Sequence, residues 1–329
     1  MRNILYLAAG AALLCAATAR AETLPVEGTY AAETDAPSRA ETVAIAGFAG
    51  RGGERVAFAI DSALRAARID GRPWFQITFS DPAFGESYRY DRDADPAAGR
   101  GGVDAVMRGI AEAEWRDVDS GTKQVEECVT KDDRGRCTEK KKVDVPCRAR
   151  NLQLRPEVRM VARSGDLLYA RSDTLPLSRR FCKDEGGPPS VDSMIEELAG
   201  QFAASVRLDV APIFRAEDIR LLESRSGMPK TDHAAFREAL RLTKSDIAAA
   251  CEAFAALAPT NPASVTVLFN IGLCHESAGE LEAAGLSYEA ALAIAPRKAE
   301  PIEGLARIAS RFRAERQMAL RAGAGAEAR

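Results

Sequence analysis

Histidine is almost missing from this chain: His233 and His275 are the only two in 329 residues. Neither falls near a recognisable nucleophile, and no G-x-S-x-G elbow exists, so Ser–His and Cys–His mechanisms have little to be built from. A basic excess is missing too. With 45 Lys and Arg against 48 Asp and Glu, the formal charge is −3, the opposite of a nucleic-acid binder's balance. No apolar run reaches the roughly 20 residues that a membrane-spanning helix needs. Closely spaced cysteine pairs of the zinc-site kind are absent as well.

What the chain does have begins at its N-terminus. Arg2 precedes an apolar run from Ile4 to Ala17, and Ala19-Arg20-Ala21 closes it. One positive charge, a short apolar core and an A-x-A site describe a secretory signal peptide over residues 1–21. Cys15 follows Leu14, whereas lipoprotein cleavage uses a small residue there, which argues against lipid anchoring. Removing residues 1–21 takes out Arg2 and Arg20 and no acid, leaving 43 basic against 48 acidic residues. The expected compartment is the periplasm. Six cysteines then remain: Cys128, Cys137, Cys147, Cys182, Cys251 and Cys274. An even number in an exported chain reads first as disulfides, with free thiols and a metal site as alternatives. Cys128 and Cys137 flank the polar turn VTKDDRGR, leaving Cys147 and Cys182 for each other. Cys251 and Cys274 fall on neighbouring predicted helices, where a bridge and two buried thiols are equally compatible with the pattern.

The remaining length suits two domains. Residues 22–40 lack any period and read as a flexible leader. TVAIAGF is a continuous apolar run suited to a buried strand, and Val56, Ile60, Ala63, Leu64 and Ala67 then recur at helical spacing. PWFQITF places Phe75, Ile77 and Phe79 on one side of a second strand, completing a strand–helix–strand unit. Residues 80–102 are loop-like. In DAVMRGIAEAEWRD, Ala105, Met107, Gly109, Ala111, Ala113 and Trp115 alternate with Arg108, Glu112, Glu114 and Arg116, predicting a long strand with one wet face. A charged hairpin is expected over 121–150, then two strands around Ser164-Gly165, then a helix after Ser190. The predicted fold is α+β: a mixed α/β sheet domain over 41–213 followed by an all-α module over 214–316, with a disordered tail at 317–329.

The all-α module carries the most specific pattern in the chain. Leu268, Ile271, Gly272, Ala284, Tyr288, Ala291 and Pro296 stand at the offsets of a tetratricopeptide repeat, which this segment resembles. Small residues let two antiparallel helices approach, Tyr288 fills the space between them, and Pro296 stops the second. His275 stands where the pattern usually has Tyr. The full repeat spans 265–298. A degraded copy over 231–264 keeps Ala250, Phe254 and Pro262, and a capping helix is expected over 300–316. The resemblance implies protein–protein binding, with Thr266, Phe269, Leu273, Glu276 and Ser277 turned to the inner side of the repeat. Phe269, Leu273 and Glu276 are the candidate partner-binding residues, the first two as an apolar strip or else as covered core.

Other stretches imitate chemistry without completing it. VAIAGFAGRGGERVAFAI runs from strand through glycines into helix, as phosphate cradles do. No Lys-Ser or Lys-Thr follows, and Arg55 stands where a dinucleotide fingerprint needs its third glycine, so a tight structural turn is expected. DRDADPAAGRGG spaces Asp91, Asp93 and Asp95 like a calcium loop but has Pro96 for the required Gly and Gly102 for the bidentate Glu. Glu112 and Glu114 lie about 7 Å apart on one strand face, the separation of paired glycosidase carboxylates, yet share it with Arg108 and Arg116. Between Lys131 and Arg150 stand eight basic and four acidic residues, a solvated projection or a contact for an acidic partner. No catalytic residue, cofactor, metal, nucleotide or nucleic acid is expected.

TVAIAGF, DAVMRGIAEAEW and VRMVARSGDLLYARS together resemble three blocks of the curli-secretion lipoprotein superfamily, which includes lipoprotein activators of penicillin-binding proteins. The likeness covers roughly Thr42 to Pro212 and implies a compact envelope domain used for assembly or protein contact. Residues 121–150 are too charged for barrel strands, which argues against a pore. The sequence thus reads as a periplasmic, non-enzymatic binding or scaffold protein with a protein or peptide partner and at most peripheral membrane contact. The alternatives are a regulatory activator of a cell-wall or secretion machine and, third, an enzyme of unrecognised type.

Overall fold

Strand β2 (Thr42–Ile45) buries Val43, Ala44 and Ile45, as its unbroken apolar run requires. It belongs to a computed structural model that describes residues 22–79 and 102–327. The expected signal peptide and the Asp91–Asp95 loop lie outside the described residues. The fold is α+β, and the chain divides into two compact units, each discontinuous in sequence. Residues 28–215 and those from 309 onward make a sheet unit. Residues 216–308 and the segment ending at Glu27 make a mainly helical unit.

In the sheet unit, helix α1 (Gly53–Arg65) returns the chain so that β5 (Gln76–Phe79) lies parallel to β2, from Thr42 opposite Gln76 to Ile45 opposite Phe79. A small antiparallel pair, β3 (Arg68–Ile69) and β4 (Arg72–Pro73), intervenes. On the other side of β2 runs β6 (Ala105–Lys131), also parallel, with Ala105 opposite Val43. Its antiparallel partner β7 (Cys137–Ala162) pairs with it from Ala105–Ala162 out to Lys131–Cys137. Strands β8 (Leu167–Ser172) and β9 (Leu175–Cys182) then lie along successive stretches of β7. The order is β5-β2-β6-β7-β8, with β9 also on β7.

The period of two in β6 is realised as far as Ala113, whereas Trp115, expected on the covered side, is exposed with the Arg51 guanidinium 4.1 Å above its ring. Ala105, Met107, Ala111 and Ala113 are buried, while Arg108, Glu112, Glu114 and Arg116 are exposed. Helix α2 (Val191–Val210) starts at the cap of Ser190, whose hydroxyl accepts from the Ser193 N–H. It buries Met194, Ile195, Leu198, Phe202 and Val206 in one cluster with Ile60 and Leu64 of α1 and Met107, Leu154 and Met160 of the sheet. A single covered face is the arrangement that alternation dictates. Beyond β9 the hairpin continues as two strands alone, with side chains almost all exposed.

Two segments depart from expectation. The supposed leader at 22–40 contains strand β1 (Thr23–Tyr30), paired with β10 (Ile213–Arg220), and Leu24, Val26 and Tyr30 are buried. Residues 317–327 of the expected disordered tail belong to α7 (Ala299–Glu327). Gln317, where disorder was to begin, is fully buried: it accepts from the Ala32 N–H at 2.9 Å and donates to the Ala32 carbonyl at 3.0 Å. The division between units therefore falls inside β1, β10 and α7, not at 213 and 316.

In the helical unit, α3 (His233–Leu242) pairs with α4 (Ile247–Leu257), and Phe236 meets Phe254 edge-on at 6.0 Å. Helix α5 (Val265–Ala278) pairs with α6 (Leu281–Ile294), within the span expected for the full repeat. Ser264 caps α5 by accepting from the Val267 N–H, and Gly279 ends it in the left-handed region at φ 81°. The first turns of α7 complete the unit.

Candidate functional site

Tyr288 on α6 organises the centre of the helical unit. A Cβ added to Gly272 on α5 would lie 2.7 Å from its ring, and one added to Gly304 on α7 2.5 Å. Two glycines thus let the backbones of α5 and α7 close on the two sides of one aromatic ring, whose neighbour Phe269 lies 5.5 Å away between centroids. The hydroxyl of Tyr288 donates to Glu276 at 2.7 Å, and Arg307 donates to the same carboxylate from Nε at 2.8 Å and Nη2 at 2.6 Å. Burial first, and then the adjoining Glu276 charge, push the phenol far above its ordinary value. It stays protonated and remains a donor.

Phe269, Leu273 and Glu276 were the candidate partner contacts. All three have zero exposure. Phe269 and Leu273 are core, and Glu276 is enclosed by Tyr288 and Arg307, so no exposed apolar strip exists at these positions. Two polar residues of α5 instead face extended chain. Leu222 donates its N–H to Asn270 Oδ1 at 2.9 Å, and Asn270 Nδ2 donates to the Leu222 carbonyl at 2.9 Å. Ser277 donates to the carbonyl of Pro25 at 2.6 Å. The sequence reading passed over Asn270, although a lone carboxamide inside VTVLFNIGLC was a legible signal.

The glycine turn before α1 is packed shut. A Cβ at Gly50 would sit 2.5 Å from the Ala111 carbonyl oxygen and 2.8 Å from a Glu112 oxygen; at Gly52 it would meet Leu154 at 2.7 Å. The Gly52 N–H donates to Ala111 at 2.9 Å. The turn is seated on β6, with a carboxylate beside it, which is hostile to phosphate. Glu112 and Glu114 are exposed on the open sheet face, where Arg155 approaches Glu114 at 3.7 Å. His233 contacts the Met228 carbonyl at 3.2 Å, and His275 contacts Glu280 at 2.6 Å. Among the described residues neither is bonded to a Ser, Thr or Cys side chain.

The six described cysteines form three bridges, Cys128–Cys137, Cys147–Cys182 and Cys251–Cys274. The first closes the hairpin near its tip. The second joins directly opposed residues of β7 and β9. The third links α4 to α5. Ligand atoms of Cys182, Asp184 and Glu185 lie within 4.8 Å of one another, but the sulfur is taken up by its bridge. Lys123 also holds both carboxylates, at 3.2 and 2.6 Å. Three bridges place the chain in an oxidising, extracytoplasmic compartment. Among the described residues no helix is long and apolar enough to cross a membrane.

No family model matches the chain, and no curated protein matches it.

Proposed function

We propose that this chain is a periplasmic, non-enzymatic docking protein, exported through residues 1–21 and binding a protein or peptide partner in the cell envelope. One observation supports the reading: Gly272 and Gly304 close around Tyr288, the small-residue and tyrosine packing that the resemblance to a tetratricopeptide repeat leads us to expect. The three disulfides support the compartment. The closed glycine turn weighs against nucleotide recognition at that place.

The test is crosslinking of the full chain in the cell, followed by identification of what is attached. One reproducible envelope protein, recovered only from chain with intact α5–α6 packing, is the expected result. Turnover of a small substrate by the purified chain, with no protein captured, would replace docking by catalysis.

A further inference from the structure

Asn270 has zero exposure, and both ends of its carboxamide are used on the main chain of one residue, Leu222. Accepting from an N–H and donating to the carbonyl of the same residue is how a neighbouring strand would pair with it. Such contacts bind the backbone and leave the side chain unspecified. Ser277, about two helical turns along α5, makes a third bond of this kind, to Pro25. Leu221 supplies the apolar anchor: it is 1% exposed, and its N–H donates to the Glu22 carbonyl at 2.9 Å.

The chain on the far side of Leu222 is held differently. Residues 221–225 have no regular secondary structure, and Glu223 to Gly227 are all exposed before Met228 is buried again. The Gln317–Ala32 contact is an internal comparison, because it has the same two-bond pattern. There the following residues are fixed too, Glu33 donating to Leu208 at 3.2 Å and Thr34 to Asp209 at 2.9 Å. Residues after Ala32 bond across to Leu208 and Asp209, whereas those after Leu222 make local contacts, Glu223 with Arg220 at 3.6 Å, Ser226 with Ser224 and Met228 with Arg225.

We propose that the face of α5 bearing Asn270 and Ser277 is a seat for extended peptide, held by the chain's own Leu221–Leu222. An incoming extended peptide with an apolar residue just ahead of the backbone unit bound by Asn270 competes for it. This deepens the docking reading and rests on it. The tethered segment acts at an effective concentration in the millimolar range, so a free peptide gains the seat only when the segment is loosened or the peptide is the better fit.

Hydrogen exchange on the unmodified chain reads the first half. The Leu222 N–H should exchange about tenfold or more faster than the Ala32 N–H, through local release without global unfolding. Equal protection overturns the proposal. The second half uses a labelled peptide of residues 217–226, EDIRLLESRS. Leu222→Pro removes the N–H that Asn270 accepts from, and this full-length variant should bind the peptide about tenfold or more tighter than the wild type. Adding Asn270→Ala should abolish that binding. Peptide binding that survives Asn270→Ala, or none to a folded Leu222→Pro chain, overturns the seat. Should Leu222→Pro not fold, the exchange measurement decides alone. An envelope protein still crosslinked to the wild type would then leave docking standing while removing this seat from it.

Discussion

Tyr288 and Glu276 are joined by a 2.7 Å hydrogen bond between two side chains of zero exposure. The carboxylate is also gripped twice by Arg307, so α5, α6 and α7 meet at one charge. Removing the hydroxyl in Tyr288→Phe keeps the ring between its glycines and leaves a buried acceptor short of one donor. The expected loss is about 1–3 kcal/mol in urea unfolding. Gly304→Ala should cost a similar amount for another reason, since its Cβ would enter the ring at 2.5 Å, overpacking typically costing about 1–3 kcal/mol. Glu276→Gln should cost at least as much, because it takes away the buried carboxylate charge that Arg307 grips twice. A Tyr288→Phe chain as stable as wild type would show that the bond is not part of the lock.

The glycine turn yields a prediction with two arms. Gly50 has φ +85°, and an added Cβ would meet backbone at 2.5 Å. Gly50→Ala should therefore destabilise by about 1–3 kcal/mol or more. ATP or NAD at 1 mM should leave the unfolding midpoint unmoved, whereas a site of 0.1 mM affinity would add about 1.4 kcal/mol. A ligand-dependent shift lost in Gly50→Ala would reinstate the cradle.

How far the sequence exposed this architecture depended on the length of each signal. The alternation in β6 runs over a dozen residues and marks the buried positions Ala105, Met107, Ala111 and Ala113 correctly. β1 offers only Leu24 and Val26 around Pro25 before its partner, β10, arrives almost two hundred residues later. Local pattern cannot report a pairing that distant. The tail misled through its glycines and alanines: RAGAGAEAR has little to bury, yet the helix is fixed by Gln317 one turn earlier and by Arg321, the first residue of that run. Phe269 and Leu273 show the opposite failure. Helical spacing says which residues share a face, but not whether that face is covered, and here it is.

Asp104 sets an acid limit on the sheet unit. Its burial alone would raise the carboxyl. The Thr42 N–H and hydroxyl and the Glu41 N–H, donating to one oxygen at 2.8 to 2.9 Å, and then the Arg163 charge, outweigh that and hold it below its ordinary value. A carboxyl with a depressed folded pKa stabilises above its unfolded pKa of about 3.9 and loses that contribution as pH falls through the folded value. Asp35 is lowered in the same sense, its burial outweighed by Gln317 and Arg313. Stability should thus be flat near neutrality and decline below about pH 4. Asp104→Asn should be weaker at pH 7 and decline less on acidification. An unchanged acid slope in the variant would remove Asp104 as a contributor.

The end of α7 offers the sharpest contrast between the two readings of the tail. If residues 317–329 were disordered, deleting them would leave the unfolding transition where it was. In the structure Gln317 bonds both main-chain groups of Ala32 and the Asp35 carboxylate, the last at 2.6 Å. Arg321 donates to the Ser38 carbonyl at 3.0 Å and lies 4.3 Å above the Trp74 ring. Burial pushes its guanidinium down to about 10, with Glu41 and Asp104 opposing. Deletion from Gln317 leaves the Ala32 N–H and carbonyl unpaired in a site 1% exposed and strips the cation from Trp74. Each buried group left without a partner costs about 1–3 kcal/mol, so the truncated chain should lose several kcal/mol, with Trp74 fluorescence shifting to the red. The milder Arg321→Gln should move the fluorescence while retaining most of the stability. A truncated chain with the wild-type midpoint and emission would return the tail to solvent.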